Sequence, residues 1–341
     1  MNSIDAEDIG KARPIDEVVE ECERAEKILL KEASRSDRKQ LEELIKISKS
    51  LWRAPFAFRG QAKQYRLSVR SRSYGMRDLI SLHASEFRFV HELDWSTCWW
   101  EEDAGKDLRQ AIQKRLDEDH ARLTAWGMHL MSHPLTKSYN SKLLKEFGKR
   151  FTKDKRLVDI FHQPYLTTSE DRELQYGMAE AASNLIAFQG SLAQHYGLDS
   201  RFLDLSFSPK IAAWFALQPN WEHVLKGERV YGYIMRFLLP ALQTHIMDYR
   251  FNWKPKPLHI ADISNMPTTI AKRPSLQLGI SLPNSPDPLF SSHLVGSGYV
   301  DCLPFYTRPC KLMSKIIKMD LYPKDDPFFE VINSFGQWKA Q

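Results

Sequence analysis

One short stretch concentrates side chains able to do chemistry. Between Gln189 and Leu217 the chain reads QGSLAQHYGLDSRFLDLSFSPKIAAWFAL, and Gln194, His195, Tyr196, Asp199, Arg201, Asp204 and Ser206 fall between two apolar segments. A histidine titrates near neutral pH, so His195 is a candidate general base, with Asp204 as its orienting carboxylate. A histidine beside a tyrosine serves equally well as a hydrogen-bonded structural residue. Arg201 and Asp204 stand three positions apart and can pair to shape a turn without functional meaning. Ser208 directly precedes Pro209 and is the better helix cap, which leaves the Ser206 hydroxyl available for another role.

Two helices must hold this segment. The first ends at Gly197, because glycine takes the left-handed cap conformation at little cost. The second opens at Pro209 and runs through Ile211-Ala212-Ala213-Trp214-Phe215-Ala216. Far upstream, Pro55-Phe56-Ala57-Phe58-Arg59-Gly60-Gln61 reads as a short buried strand ending in a turn. Arg59 at that strand end either points into a cleft or pairs with a carboxylate.

The remaining chain supplies helices first and strands later. Residues 1–14 read as a polar tail. Apolar spacing predicts helices over 15–33 and 39–51, and then over 81–95, 106–131 and 171–196. Tyr65–Tyr74 reads as a basic loop. Trp95, Trp99 and Trp100 cluster around Cys98 and serve either helix packing or stacking on a base or sugar. Residues 138–162 are the most basic stretch and suit either a solvated helix face or phosphate contacts. Pro134 stops the helix before them. Strands are expected at 230–237, 258–263, 273–282 and 311–321, with a loop over 283–298 and a closing helix at 328–338. This order predicts an α+β fold, a helical N-terminal half followed by a small, mostly antiparallel sheet. The expected division is a helical hairpin over 1–51, a central domain over 52–285 with a helical insertion near 100–165, and a completing segment over 286–341.

Composition narrows the class. The 341 residues are 43% hydrophobic and 11% aromatic, which suits a globular chain with a large core. The net charge of +5 and pI near 8.8 fall short of a nucleic-acid domain's basicity. The cysteines, Cys22, Cys98, Cys302 and Cys310, lack zinc-site spacing, so no metal is expected. Sparse cysteines and no signal peptide point to a cytoplasmic setting. The longest apolar run, Ile211 to Leu217, is too short to cross a membrane. No Walker A loop, dinucleotide fingerprint, nucleophile elbow or kinase set is present.

Three motifs carry a resemblance. Phe58-Arg59-Gly60, the run Ala193-Gln194-His195-Tyr196-Gly197-Leu198 through Arg201-Phe202-Leu203-Asp204-Leu205-Ser206-Phe207-Ser208-Pro209, and Arg273 with Gln277-Leu278-Gly279 resemble the FRG domain. That family takes its name from the Phe-Arg-Gly tripeptide. Here Asp199-Ser200 replaces the family's Pro-Thr and Leu205-Ser206 its Trp-Thr, which keeps a hydroxyl at 206.

The three motifs are also similar to the Arg–Ser–Glu arrangement of ADP-ribosyltransferases. The resemblance implies Arg59 on the phosphates of NAD, Ser206 near its nicotinamide ribose, and Gln277 where those enzymes place the working glutamate. A glutamine is not a carboxylate base. Gln194, Tyr196, Arg201 and Asp204 would complete the nucleotide cleft, and His195 would join Arg59, Ser206 and Gln277 as candidate catalytic groups. Two other readings stay open. One is a non-catalytic module for nucleic acid or a protein partner. The other is a nuclease or hydrolase built on His195 and Asp204.

Overall fold

The computed structural model describes residues 6–71, 75–80, 106–153, 185–198, 200, 202–239, 242, 260–283, 294–295 and 298–336. The expected helix at 81–95, the Trp95–Trp100 cluster, and Asp199 and Arg201 lie outside the described residues.

Helix α1 (Ala6–Lys11) and the two-residue strand β1 (Arg13–Pro14) open the chain. Helices α2 (Ile15–Glu23), α3 (Ala25–Glu32) and α4 (Arg35–Trp52) follow. Ser34 caps α4 by accepting from the Asp37 N–H at 3.2 Å. Strand β2 (Phe56–Gln61) then enters the middle of the sheet. The basic loop expected over 65–74 is instead a hairpin arm, β3 (Arg66–Ser71), paired with β4 (Gly75–Ile80). Helices α5 (Lys106–Ser132) and α6 (Pro134–Lys153) follow and pack against each other. Pro134 opens α6 rather than merely ending α5, since the first position of a helix has no use for an N–H.

The second half alternates helix and strand. Helix α7 is described over residues 185–195, followed by β5 (Phe202–Ser206), α8 (Pro209–Leu217), α9 (Trp221–Leu225), β6 (Tyr231–Leu238) and β7 (Ala261–Asp262). Then come the short helix α10 (Arg273–Leu276), β8 (Gly279–Pro283), β9 (Val300–Tyr306), α11 (Lys311–Ile316) and α12 (Phe328–Ser334). Two expected strands are thereby corrected. Lys311–Leu321 begins as a helix, and Arg273–Leu276 is a helical turn before the strand starts at Gly279. Pro274 at a first-turn position explains the second case.

The main sheet has seven strands in the order β1-β9-β6-β2-β5-β8-β7. Every pairing is antiparallel except β1 with β9. The fold is α+β, as expected, but the sheet is neither small nor confined to the second half. Its middle strand, β2, comes from residues 56–61.

Side chains alternate across the sheet. Phe56 and Phe58 of β2 pack with α2 and α8 on one face, while Ala57 joins Leu203, Leu205, Met235 and Phe237 on the other. A third apolar cluster joins α5, α7 and α12 through Trp126, Leu130, Leu192, Tyr196 and Phe328. No helix among the described residues is long and apolar enough to cross a membrane.

Candidate functional site

Helix α7 ends in a paired cap. The Leu198 N–H reaches the Ala193 carbonyl at 3.0 Å, and the Gly197 N–H reaches that of Gln194 at 3.0 Å. Gly197 has φ of 79°, so the expected left-handed glycine is present. This cap puts Gln194 and His195 on the last helical turn, facing β5.

His195 is held from two sides. Its Nδ1 lies 2.7 Å from Oε1 of Gln277. Gln277 cannot turn its amide around, because its Nε2 donates to the Leu321 carbonyl at 2.9 Å. The oxygen therefore faces the histidine, and Nδ1 carries the proton as donor. On the far side of the ring, Nε2 stands 3.4 Å from Oδ1 of Asp204. Neither of these two buried atoms has a hydrogen-bond partner, the other included. Gly279 makes the arrangement possible: a Cβ there would lie 2.6 Å from the His195 Cε1.

Asp204 is the open member of the pair. Protein surrounds it, yet its side chain keeps 30% of its surface, against 2% for His195, as expected of a group lining a concavity. Burial pushes its carboxyl above the usual range, and His195, Arg59 and a hydrogen bond from Gln194 only partly oppose this. The Gln194 oxygen accepts from the Ser200 hydroxyl at 3.0 Å, which leaves its amino group for Asp204.

Arg59 reaches the site from behind. Its alternation with Phe58 places it on the Ala57 face of β2, whereas Asp204 shares the opposite face with Phe202 and Ser206. Strands β2 and β5 pair only through Phe58 and Ser206. Past that bridge, Nη1 of Arg59 donates to the Asp204 carbonyl at 2.9 Å, in the place of a ladder bond. Arg59 thus meets the Asp204 backbone, while its charge acts on the carboxylate.

Ser206 and Gln277 are committed to this framework. Ser206 is 2% exposed; its hydroxyl donates to the Gln277 carbonyl at 2.7 Å and accepts from the Ser208 N–H at 3.1 Å. Ser208 caps α8, accepting from Ile211, which matches its expected role. Gln277 is likewise 2% exposed and uses both ends of its amide. Its neighbour Leu278 has φ of 46°, an uncommon value for a branched residue, and its carbonyl accepts from Phe207. The turn 277–279 therefore grips the end of β5 with backbone and side chain together.

Tyr196 points elsewhere. Its hydroxyl donates to Oδ2 of Asp326 at 2.6 Å, and burial, with that carboxylate, pushes its ionisation upward. Asp326 also accepts from the backbone of Lys272, Arg273 and Phe328. It thus ties α7, α10 and α12 into one frame.

Arg273 and Tyr322 complete the surroundings, and site selection from the sequence missed both. The half-buried Arg273 guanidinium lies over Tyr196 at 5.0 Å, Tyr322 at 4.7 Å and Phe329 at 4.7 Å. Its Nη1 reaches the His195 carbonyl at 3.4 Å, and its buried Nε has no partner. It makes no ion pair among the described residues. Tyr322 is 43% exposed, rests against Trp214 and Phe215, and feels the charges of both Arg273 and Asp204. The available signal was Arg273 in the third motif; Tyr322 carries none.

No curated protein and no solved structure matches the chain. Residues 137–223 match the family model of the FRG domain. The match spans Gln194, His195, Tyr196, Asp204 and Ser206, while Phe58-Arg59-Gly60 and Arg273–Gly279 lie outside it. The chain is an FRG domain-containing protein.

Proposed function

We propose that the chain binds a phosphorylated nucleotide such as NAD at the Asp204–His195 cleft, framed by Arg59, the 194–206 segment and Gln277. The observation that carries this reading is Arg273. A half-buried guanidinium stacked on three aromatic rings, with one long hydrogen bond and no ion pair among the described residues, is a cation suited to an incoming anion. Phosphate oxygens match the guanidinium fork, and they strengthen its hydrogen bonds by their charge. The half-exposed Tyr322 ring beside it offers a surface for a base. Arg59 adds positive potential from behind Asp204.

In this reading Gln277 and Ser206 are positioning residues and Asp204 faces the ligand. The function is therefore nucleotide binding, without the glutamate-driven transfer that the ADP-ribosyltransferase likeness implies.

A thermal-shift panel tests the proposal with NAD, ADP-ribose, nucleoside phosphates and a short oligonucleotide. A ligand at a hundred times its dissociation constant adds about 2.7 kcal/mol of stability. Stabilisation by NAD or ADP-ribose is expected, lost in Arg273→Gln and weakened in Tyr322→Ala. If no mononucleotide or dinucleotide stabilises the protein, the proposal fails. Salt-sensitive stabilisation by the oligonucleotide alone would favour a nucleic-acid module instead.

A further inference from the structure

We infer that Asp204 and His195 hold a single proton between them, and that this proton sets the affinity of the cleft for the phosphate of its ligand.

Hydrogen-bond accounting leads to the proton. The Leu321 carbonyl fixes the Gln277 amide, and the Gln277 oxygen then requires a proton on Nδ1 of His195. A neutral imidazole with its proton on Nδ1 presents only a lone pair at Nε2. Nε2 lies 3.4 Å from Oδ1 of Asp204, and neither buried atom has a hydrogen-bond partner. Two unprotonated acceptors this close, away from water, repel. One proton between them removes the conflict, whether as an imidazolium beside a carboxylate or as a neutral imidazole beside a carboxylic acid. Both forms leave the pair with no net charge. Loss of the proton leaves it with one negative charge and restores the two unprotonated acceptors.

The charged and hydrogen-bonding groups around the pair favour release of its proton. From β2, Arg59 donates to the Asp204 carbonyl and its charge reaches the carboxylate. From α7, Gln194 donates to the carboxylate. From α10, Arg273 touches the His195 carbonyl. Tyr322, between α11 and α12, lies with its ring 4.7 Å from the Arg273 guanidinium and feels the charge of Asp204. Against these, the removal of both groups from water disfavours a bare carboxylate. With the proton in place, the Asp204–His195 pair carries no net charge against an anion, and Arg273 and Arg59 attract it. Without it, the partly exposed Asp204 confronts the phosphate with its own negative charge.

The inference rests on the proposed nucleotide site, and its two halves have separate tests. The first is nitrogen NMR of the His195 ring in the full chain without ligand, across about pH 6 to about pH 9. The expected spectrum has Nδ1 protonated throughout and, at neutral pH, Nε2 either protonated beside an ionised Asp204 or an acceptor beside a protonated Asp204, the carboxyl state being read from its carbon resonance. Asp204→Asn, which places an amide opposite Nε2, should hold that nitrogen at the position of an ordinary hydrogen-bond acceptor. An unprotonated Nε2 beside an ionised Asp204 in the native protein overturns the shared proton.

The second is the dissociation constant of ADP-ribose over the same range, chosen because its diphosphate keeps a constant charge there. Affinity should fall as pH rises, by up to about tenfold per pH unit, the limit for one linked proton. Asp204→Asn, whatever its absolute affinity, should bind with a dissociation constant that no longer changes with pH. Binding that is flat with pH in the native protein overturns the link between proton and affinity. Absence of binding at any pH overturns the nucleotide proposal and with it this link. The shared proton then still stands or falls on the NMR result.

Discussion

At the residue scale, Asp204 concentrates the tension in the site. Burial raises its ionisation above the unfolded value of 3.8, so the folded state binds the proton more tightly than the unfolded chain does. Its contribution to stability is fully present below the unfolded value and is lost as pH rises through the folded one. Asp204→Asn removes that dependence. The variant should match or trail the native protein in acid and gain on it as pH rises, when unfolding midpoints in urea are compared across the range. A difference that stays constant with pH would show that burial does not govern this carboxyl.

The same residues show what the sequence discloses at this scale. His195 and Asp204 stood out because a polar run between apolar helices is conspicuous. Their true orienter, Gln277, was visible only as part of a motif, and its amide is settled by a carbonyl at Leu321 that no pattern marks. Asp326 gathers hydrogen bonds from Tyr196, Lys272, Arg273 and Phe328 and looks like any surface aspartate in the sequence. Backbone groups recruited from distant segments leave no signature in spacing.

At the element scale, the Phe-Arg-Gly motif is a device for seating α8 on the sheet. Phe58 enters the core beneath that helix, Arg59 bridges to β5, and Gly60 lets the helix backbone approach. A Cβ on Gly60 would sit 1.7 Å from the Ala212 carbonyl oxygen and 2.7 Å from the Ala216 nitrogen. Both obstacles are backbone, so no side chain can swing aside. Gly60→Ala should cost at least about 3 kcal/mol, beyond the usual range for an added methylene, because a whole helix must move. Chemical denaturation measures it, with Gly10→Ala as the control, since nothing lies within 4 Å of a Cβ there. An equal, small effect at both sites would refute the seating role.

Element boundaries were legible where local chemistry decides them. Gly197, Ser208 and Pro209 mark their caps as the sequence suggests. Apolar content misled at 311–321, where Leu312, Ile316 and Ile317 suit a strand as well as a helix. Only packing of Met313 and Ile316 against the α8 cluster selects the helix. The β3 and β4 arm was missed because Arg66, Arg70 and Arg72 obscured its alternation.

At the scale of the whole molecule, the N-terminal segment belongs to the main core. Sequence spacing found α2 but placed it in a hairpin ahead of the fold. In the structure Ile15 and Val18 are fully buried, and Val19 and Cys22 nearly so, in the cluster that contains Phe58, Ile211 and Trp214. Strand β1 extends the sheet beside β9. Polar contacts decorate the same junction: Arg308 grips Asp16 through two hydrogen bonds of 2.9 and 2.6 Å, and Arg236 reaches Glu21 at 3.5 Å. Two kinds of force could therefore hold the segment, and they differ in exposure. The Arg308 side chain is 42% exposed, so solvent screens its pair, whereas Ile15 has no exposed surface.

Burial should dominate. Ile15→Ala should cost about 2–5 kcal/mol, the range for truncating a buried isoleucine, and should lower one common unfolding transition. Arg308→Ala should leave the midpoint nearly unmoved, with whatever effect it has fading as salt rises. Calorimetry on the two variants decides between them. If Arg308→Ala proves the more damaging, the segment is clamped by charge. If Ile15→Ala instead creates an early, separate transition, α2 is a detachable element and the sheet is stable without it.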